Sequence, residues 1–290
     1  MSAIDELSIS ARSVLAQLGD AIVSIGRDGR GSGLVIGTGK VITNAHNLRD
    51  QTTLVTFADG RAEQGSVTGA DEDGDLVVLE VDTGDVTAAT WADNLPEAGD
   101  VILTLSRGGH RVRISFGMVS SVDVAFQGPR GRQVHGGVEH TAPLARGASG
   151  GPVTDVQGHV VGINTHRIGR GFYVARPVDA ALRSTIDDLA AGKSVVRPRL
   201  GIALAPPEVA SKLRASVGLP QREGLLVRGV EPDGPADKAG IAEGDLLVAA
   251  GHTPLDSVEA LHDVLGSSET LTLTVVRGTD ERTVTVTFEN

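Results

Sequence analysis

The chain has 290 residues, which is enough for two domains, and 40% of them are apolar. Its net charge is −11, and residues 1–191 and 192–290 are each acidic, so neither nucleic acid nor an anionic membrane is expected as a partner. The absence of cysteine excludes disulfides, thiol catalysis and cysteine-ligated metals. No stretch approaches the roughly 18 apolar residues of a transmembrane span, and the N-terminus lacks the apolar run of a secretory signal. The chain as given is therefore expected to be soluble, untargeted and cytoplasmic.

The first two thirds of the chain are predicted to be mainly β. Residues 8–18 place apolar side chains at near-helical spacing, which predicts a short N-terminal helix. Beyond it, Val, Thr and Gly dominate, and frequent Gly and Asp turns separate short apolar runs. The expected strands are 21–25, 33–36, 40–43, 53–57, 65–70, 76–81, 100–105, 111–124, 133–141, 152–155, 160–165 and 171–175. Such a series is typical of an all-β barrel or sandwich.

The pattern changes at Pro177. Apolar residues then recur every three or four positions, which predicts a helix ending near Gly192. The remainder predicts a small α+β domain with strands 200–204, 225–230 and 245–250, short helices at 236–239 and around 258–265, and a final hairpin of 271–276 with 283–288. The expected organisation is an N-terminal helical segment 1–20, a β domain 21–191, a linker 192–199 and a second domain 200–290.

The segment 146–152, Arg-Gly-Ala-Ser-Gly-Gly-Pro, is the first candidate for chemistry. Its backbone has few side chains, so it can turn sharply, admit a substrate and direct amide N–H groups toward the Ser149 hydroxyl. Serine is a poor nucleophile until a base and an orienting group activate it. Taken alone, the segment favours an ordinary glycine-rich loop over a catalytic one.

His46 and Asp75 are the candidates for that base and that orienting acid. His46 ends an apolar strand, where the sheet holds the imidazole while a cleft exposes it. Asp75 directly precedes the apolar run 76–79, so of the acids in 71–75 it is the one expected inside. The order His46, Asp75, Ser149 matches a known triad order. A calcium loop at 71–75 is disfavoured against a solvated turn, because the glycine comes too early and no closing glutamate follows.

Several motifs, in order and spacing, resemble trypsin-like serine proteases of the HtrA/Deg family. In the first domain they are residues 31–33 (Gly-Ser-Gly), 43–46 (Thr-Asn-Ala-His), 75–79 (Asp-Leu-Val-Val-Leu), 147–152 (Gly-Ala-Ser-Gly-Gly-Pro) and 161–165 (Val-Gly-Ile-Asn-Thr). In the second they are residues 199–202, 224–227, 234–236, 239–241 and 244–247, which resemble the PDZ domain that follows the protease in this family. The resemblance covers about residues 18–288.

The resemblance implies a chymotrypsin-like double β-barrel protease domain followed by a PDZ domain. Ser149 would be the nucleophile, His46 the general base and Asp75 the orienting acid, with the N–H groups of Gly147 and Ser149 as the oxyanion hole. The primary specificity pocket, which favours small aliphatic side chains in this family, would include Asn164, Thr165 and His166. His166 stands where the family often has a small residue.

In the PDZ part, Leu200, Gly201 and Ile202 would form the carboxylate-binding loop. A peptide would add to the sheet as an extra strand, and Leu261 and Leu265 would line the groove from the helix. The implied protein is a serine endopeptidase that cleaves unfolded or damaged proteins in quality control and stress response, and binds C-terminal tails. No cofactor or metal is expected, and the resemblance implies a homotrimer and a location in the cell envelope.

Two departures from the family motivate an alternative. Ala148 replaces the usual Asn before the serine, and Ala142 replaces the Asp that usually follows the threonine. The alternative is a proteolytically latent protease fold that acts as a chaperone or scaffold through peptide binding. The remaining histidines are expected at the solvated surface: His110, His135, His140, His159, His252 and His262. A local basic stretch is expected in surface loops rather than in a polyanion site: Arg107, Arg111, Arg113, Arg130 and Arg132.

Overall fold

The computed structural model describes residues 2–109, 111–128, 133–169, 171–266 and 269–288. The chain divides into two compact units, Met1–Val195 and Val196–Asn290. The first is built mainly from β-strands and the second is a small α+β fold, as predicted. Among the described residues, no helix is both long and apolar enough to cross a bilayer.

Helix α1 (Ala3–Leu18) opens the first unit. Ser2 caps it by accepting a hydrogen bond from the Asp5 amide, and the Asp5 carboxylate accepts from the Ser2 amide in return. This reciprocal cap satisfies amide groups that the first turn leaves without helical partners. The predicted helix is confirmed, and it begins earlier than residue 8 because the capping residue lies at position 2. Its buried residues are Val14 and Leu18.

The next six strands close into a first β-barrel. They are β1 (Ile22–Ile25), β2 (Gly31–Gly37), β3 (Lys40–Thr43), β4 (Thr52–Thr56), β5 (Ala62–Asp71) and β6 (Leu76–Glu80). The order around the barrel is β1-β2-β3-β6-β5-β4, with all neighbours antiparallel. Closure leaves no free sheet edge, and apolar side chains fill the interior. All six strands were predicted within a few residues of these bounds.

A second six-stranded barrel follows. Its strands are β7 (Val101–Gly108), β8 (Arg111–Gln127), β9 (Gln133–His140), β10 (Pro152–Thr154), β11 (Val160–Ile168) and β12 (Phe172–Pro177). They close in the order β10-β11-β12-β9-β8-β7. Helix α2 (Ala180–Ala190) comes next, capped by the Asp179 side chain, and buries Leu182, Ile186 and Leu189 in a core shared with the first barrel. The predicted double barrel is confirmed.

Arg107 corrects the expectation that the basic stretch lies in solvated loops. It is buried on β7, and its guanidinium donates to the carbonyls of Ile22 and Gly19, the latter at 2.6 Å. Burial lowers the pKa of Arg107 below its ordinary value. The residue thus ties the second barrel to the start of the first. Arg111 and Arg113 are exposed on β8, as expected, while Arg130, Arg132 and His110 lie outside the described residues.

The second unit is a small α+β fold. Its elements are β13 (Ile202–Ala205), α3 (Pro207–Ser216), β14 (Leu225–Val230), α4 (Pro235–Lys238), β15 (Leu246–Ala250), β16 (Thr253–Pro254), α5 (Val258–Leu265), β17 (Thr270–Arg277) and β18 (Asp280–Thr287). The sheet order is β13-β14-β15-β17-β18, with β16 paired to β15. Helix α3 was not predicted. It starts at Pro207, and Val209 and Leu213 remain 43% and 36% exposed, so the sequence carries no clear buried face there.

Part of the expected linker belongs to the first unit. The Val195 amide donates to the Ala70 carbonyl at 2.8 Å, and the Ala70 amide donates to the Ser194 hydroxyl at 3.1 Å. These bonds attach residues 194 and 195 to the end of β5, so residues up to 195 are tied to the first barrel.

Candidate active site

His46 and Asp75 meet at one end of the first barrel. His46 lies in a 3-10 turn, Ala45–Asn47, directly after β3, and Asp75 directly precedes β6. Because β3 pairs with β6, the two residues arrive at the same edge. His46 Nδ1 lies 2.7 Å from Asp75 Oδ2, and the His46 amide donates to Asp75 Oδ1 at 3.0 Å. The carboxylate therefore fixes both the ring and the backbone of His46.

The turn at 71–75 is buried at both ends, which corrects the expectation of a solvated turn. Asp71 is 2% exposed and Asp75 is fully buried. The Gly74 amide donates to Asp71 Oδ1 at 2.9 Å, and Arg176 donates to the Gly74 carbonyl at 2.6 Å. Asp75 itself has φ +58°, a left-handed conformation that aspartate tolerates better than most residues. The Asn44 side chain holds it there by donating to the Asp75 carbonyl at 2.8 Å.

Ser149 lies in the loop between β9 and β10, and two neighbouring glycines have left-handed backbones. Gly147 has φ +83° and Gly150 has φ +85°. A Cβ on Gly147 would lie 2.5 Å from the Gly29 carbonyl oxygen, and one on Gly150 would lie 2.2 Å from the Ser32 carbonyl oxygen. Only glycine fits at either position, so the loop shape depends directly on these two residues.

Hydrogen bonds hold the Ser149 loop against the first barrel. The Ser32 amide and the Asn47 side chain both donate to the Ser149 carbonyl, at 2.8 and 3.0 Å. The Ser32 hydroxyl donates to the Gly147 carbonyl at 2.7 Å. Sequence reasoning did not assign these two anchors a role. The available signals were that Asn47 follows His46 and that Ser32 lies in the Gly-Ser-Gly motif.

The expected oxyanion-hole donors are the backbone amides of Gly147 and Ser149. Within the described parts of the chain, neither N–H has a hydrogen-bond acceptor. The carbonyl of Ala148 accepts from the Gly151 amide at 3.0 Å, and in a trans peptide the Ser149 N–H points the opposite way. The loop therefore keeps two backbone donors beside the serine.

Ala148 and Ala142 are the two departures from the family, and the side chains of both are buried.

Thr165 connects Ser149 to Asp75. The Ser149 hydroxyl donates to the Thr165 carbonyl at 3.3 Å, and in the described chain it makes no hydrogen bond to His46. The Thr165 hydroxyl donates to Asp75 Oδ2 at 2.8 Å. Strand β11 shifts register against β12 between Asn164 and His166, which places Thr165 in a bulge. Bulges re-aim side chains, and this one gives Thr165 contacts to both residues.

His140 is buried, contrary to the expected surface position. Its Nε2–H donates to Asn164 Oδ1 at 2.9 Å, and its ring stacks on Tyr173 with centroids 5.8 Å apart. Burial lowers the pKa of His140 to about 4, so the imidazole is neutral at pH 7. One signal was available, because His140 lies two residues after buried Val138 in a predicted strand. His140 thereby holds the side chain of Asn164, one of the three residues expected in the specificity pocket.

His166 lies at the open side of the site. Its ring centroid is 5.9 Å from that of His46, at an interplanar angle of 65°, and 5.6 Å from that of Phe126. His166 Nδ1 lies 3.4 Å from the Thr165 hydroxyl oxygen. Hydrogen bonds and ring contacts therefore link five residues in one cluster: His46, Asp75, Ser149, Thr165 and His166.

In the second unit, the expected carboxylate-binding loop directs its amides outward. The carbonyl of Leu200 accepts from the Ala236 amide at 3.0 Å, and that of Gly201 accepts from the Glu231 amide at 2.8 Å. The N–H groups of Gly201 and Ile202 belong to the same trans peptides, so they point away from these partners. Gly201 has φ +72°, which favours glycine there.

Leu261 and Leu265 lie on α5 within the core of the second unit. They are 2% and 5% exposed, so most of each side chain packs inward. Their place in a peptide groove stays a prediction. Half-buried Ile202 and Val258 pack against the same core from β13 and α5.

Comparison with known proteins identifies the class of protein first. A model of the trypsin-like peptidase domain matches residues 31–163, and a model of the PDZ domain matches residues 198–288. The solved structure of the HtrA-type protease AlgW with a decapeptide shares the fold, with a TM-score of 0.66, 21% identity, and coverage of 96% of this chain and 97% of that one. The molecule is thus a trypsin-like peptidase domain joined to a PDZ domain.

Relatives then define the family. The chain is 30% identical over 280 residues to the putative serine protease HhoA of Synechocystis sp., covering 89% of this chain and 70% of that protein. It is 31% identical over 269 residues to a probable periplasmic serine endoprotease, DegP-like, of Halomonas elongata, covering 89% and 56% respectively. The chain belongs to the HtrA/Deg family of trypsin-like serine proteases. It spans only 52 to 56% of the length of the DegP-like relatives.

Proposed function

We propose that this chain is an HtrA-type serine endopeptidase that cleaves unfolded or damaged proteins in quality control. The observation that carries the proposal is the 2.7 Å contact between His46 Nδ1 and a fully buried Asp75, beside a serine loop anchored to the same barrel. A carboxylate bonded to Nδ1–H leaves Nε2 of His46 as the basic nitrogen. That is the arrangement that activates a serine hydroxyl.

In the proposed reaction, Ser149 Oγ attacks the scissile carbonyl while His46 Nε2 takes its proton. For this, the Ser149 hydroxyl must leave the Thr165 carbonyl, a 3.3 Å hydrogen bond that a rotation about one side-chain bond breaks. His46 then gives the proton to the leaving amine, and the acyl-enzyme forms. Water, deprotonated by His46, then attacks the acyl-enzyme, the acyl–Oγ bond breaks, and His46 returns the proton to Ser149 Oγ. Asp75 stabilises the imidazolium in both steps.

The tetrahedral intermediate would place its oxyanion on the N–H groups of Gly147 and Ser149. These donors have no protein acceptor within the described chain, so they need not break a bond to receive the charge. Losing one such donor costs about 3–4 kcal/mol of transition-state stabilisation. The glycine requirement at position 147 follows, since a side chain there would collide with Gly29.

Asn164, Thr165 and His166 form the wall of the primary specificity pocket in this proposal. Asn164 is fixed on both sides, by the Gly151 carbonyl at its amide and by His140 at its side chain. A small aliphatic side chain is the preferred substrate residue. His166 adds a polar ring near His46, which distinguishes this pocket from an entirely apolar one.

The PDZ unit would bind C-terminal peptide tails. The outward amides of Gly201 and Ile202 suit a carboxylate, and strand β13 is an edge of the sheet to which an extended peptide can add. The AlgW structure was solved with a decapeptide. We therefore assign the second unit to substrate recruitment or to regulation of the protease by protein termini.

The decisive experiment replaces the nucleophile. Ser149→Ala is expected to abolish casein cleavage, a loss of roughly 10⁶-fold for a triad serine, and labelling by a serine-directed phosphonate. The variant must keep its melting temperature and its binding of C-terminal peptides, which shows that the fold is intact. Cleavage by the variant at the parental rate would refute the proposal.

One observation favours a second candidate, a latent protease fold that acts as a chaperone or scaffold. The Ser149 hydroxyl bonds to the Thr165 carbonyl rather than to the base. The two candidates are separated by assaying casein cleavage with and without C-terminal peptides. Cleavage in either condition identifies the endopeptidase. Suppression of substrate aggregation without cleavage or phosphonate labelling in both conditions identifies the latent form.

We also propose a cell-envelope location and a homotrimer. The names of the Halomonas and Brucella relatives describe them as periplasmic, and this supports the location. Fractionation of the native protein tests the location, and recovery only with the cytoplasm would overturn it. Light scattering on the purified chain tests the trimer, and a monomer mass across the micromolar range would overturn it.

A further inference from the structure

Three potential metal ligands converge at the site. One ligand atom from each of His46, Asp75 and His166 lies within 4.8 Å of the other two. Across the described residues, this is the one group of three histidine or acidic side chains so close together. The ligands come from three separate parts of the first unit: the turn after β3, the loop before β6, and the bulge of β11. The fold, rather than local sequence, assembles the group.

The donor set selects the kind of ion. Two imidazoles and one carboxylate are typical ligands of Zn²⁺ sites that keep a fourth position for water. Imidazole nitrogen favours Zn²⁺ and Cu²⁺ over Mg²⁺ and Ca²⁺, which prefer oxygen. With metal–ligand bonds of about 2.1 Å, tetrahedral ligand atoms lie roughly 3.4 Å apart. His46 Nδ1 and Asp75 Oδ2 must therefore separate from their 2.7 Å contact, while His166 moves to complete the group. Half-buried His166 has the freedom to supply that movement.

The surroundings of Asp75 suit a ligand role. The Thr165 hydroxyl donates to Oδ2 at 2.8 Å, and the His46 amide donates to Oδ1 at 3.0 Å. Such outer hydrogen bonds orient a metal-bound carboxylate. Asp75 is closed to solvent, but the His46 side chain is 32% exposed, which provides an entry path. A single residue, His166, distinguishes this group from a bare His–Asp pair.

We propose that His46, Asp75 and His166 bind a divalent transition-metal ion, Zn²⁺ in the test below, that reversibly inhibits the enzyme. The ion is an inhibitor, not a resident cofactor. It takes the place of the proton between His46 Nδ1 and Asp75 Oδ2, and that proton leaves to solvent. Held by the metal, His46 is no longer oriented by Asp75 as the base for Ser149. The inhibition rests on the proposed protease function, whereas the binding does not.

Binding is tested on the full chain in the Ser149→Ala background, which keeps all three ligands and cannot digest itself. Competition with a chromophoric zinc chelator gives the stoichiometry and affinity. One Zn²⁺ per chain is expected, and His166→Ala should weaken it at least about 100-fold, since even outer-shell changes cost 10- to 100-fold. His166→Gln is a second variant of similar size, and both must keep the parental melting temperature.

The matched control is His159→Ala. His159 also faces a carboxylate, with Nδ1 3.0 Å from Asp155 Oδ2, but it lies outside the group of three. Its variant should bind Zn²⁺ as the parent does. The inference is overturned if the parent binds no Zn²⁺, if both His166 variants bind it unchanged, or if only His159→Ala loses it.

Inhibition is then measured on chains with Ser149 intact. Zn²⁺ should block casein cleavage by the parent, EDTA should restore it, and the inhibitory concentration should rise at least about tenfold in His166→Ala, each protein being compared with its own metal-free rate. If Zn²⁺ binds as predicted but no protein cleaves casein, the protease proposal falls and the metal site stands. If cleavage occurs and Zn²⁺ inhibits both proteins equally, the metal site falls and the protease proposal stands.

Discussion

Each of the two units contains a fully buried carboxylate with several hydrogen bonds, and the two differ in their partners. Asp75 in the first unit faces His46 and the Thr165 hydroxyl. Asp245 in the second unit faces the guanidinium of Arg277, at 2.7 and 2.8 Å, and that of Arg282 at 3.2 Å. An arginine stays charged at every accessible pH, whereas a histidine can gain and lose a proton near neutrality.

The consequence for Asp245 is a permanent ion pair. Burial raises the pKa of Asp245, but hydrogen bonds from Arg277 and the Ala242 amide, with the charges of Arg277 and Arg282, outweigh it and lower the pKa overall. Such a pair fastens β15 to β17 and β18 and has no proton to exchange. Burial of a carboxylate therefore does not by itself indicate a catalytic role. The informative feature is a partner that can gain and lose a proton.

The largest effect expected from this comparison concerns Asp75→Asn. An amide cannot hold the His46 ring in the required tautomer, so kcat for casein should fall by roughly 10⁴-fold. The free energy of unfolding should change far less than this barrier, because the amide nearly matches the carboxylate in size. Denaturant titration beside the kinetics checks both. If the variant loses stability but keeps the parental kcat, Asp75 has a structural role like that of Asp245.

The opposite result is expected for Asp245→Asn. Removing the carboxylate leaves the partly exposed guanidiniums of Arg277 and Arg282 without their charged partner. Because water screens these exposed charges, the loss of unfolding free energy should be about 1–2 kcal/mol. Peptide binding by the PDZ unit should weaken as that unit unfolds, while phosphonate labelling of Ser149 should persist. Urea unfolding followed by both readouts measures this. Wild-type stability with lost labelling would contradict the assignment.

His140 adds a buried group that the fold keeps neutral. Between about pH 6.5 and pH 4, the unfolded chain binds a proton at this imidazole that the folded chain does not, so stability falls as pH decreases. His140→Gln keeps a donor for Asn164 but cannot titrate in this range. The wild type should lose about 2–3 kcal/mol more than the variant between pH 7 and pH 4.5. Parallel unfolding curves at both pH values would contradict burial of His140.

The smallest predicted effect is that of the Thr165 hydroxyl. Thr165→Val removes one hydrogen bond to Asp75 Oδ2 and should lower kcat by about tenfold, equivalent to roughly 1.4 kcal/mol. Thr165→Ser is the matched control, since it keeps the hydroxyl and should retain most of the rate. If the valine variant is as fast as the serine variant, the bridge from Thr165 does not orient Asp75.

Much of the fold could be predicted from the sequence. Short apolar runs separated by Gly and Asp turns located the twelve strands of the two barrels, and helical spacing located α5. Helix α3 escaped prediction because it buries too little apolar surface to produce a periodic pattern. Its starting proline was the remaining signal.

The candidate site was likewise predicted in part from the sequence. The sequence motifs singled out His46, Asp75 and Ser149, and the pairing of β3 with β6 brings the first two together. The buried positions of Arg107 and His140 were missed, because polar residues are usually exposed and nothing local marks the exceptions. Both are buried by contacts with residues distant in the chain.

By itself, the sequence determined which residues can carry chemistry and which segments become strands, since both follow from side-chain type and local periodicity. Only the tertiary structure decided which of them meet. The bulge at Thr165 and the proximity of His166 to His46 depend on strand register and barrel closure, which are set by side chains far apart in the chain.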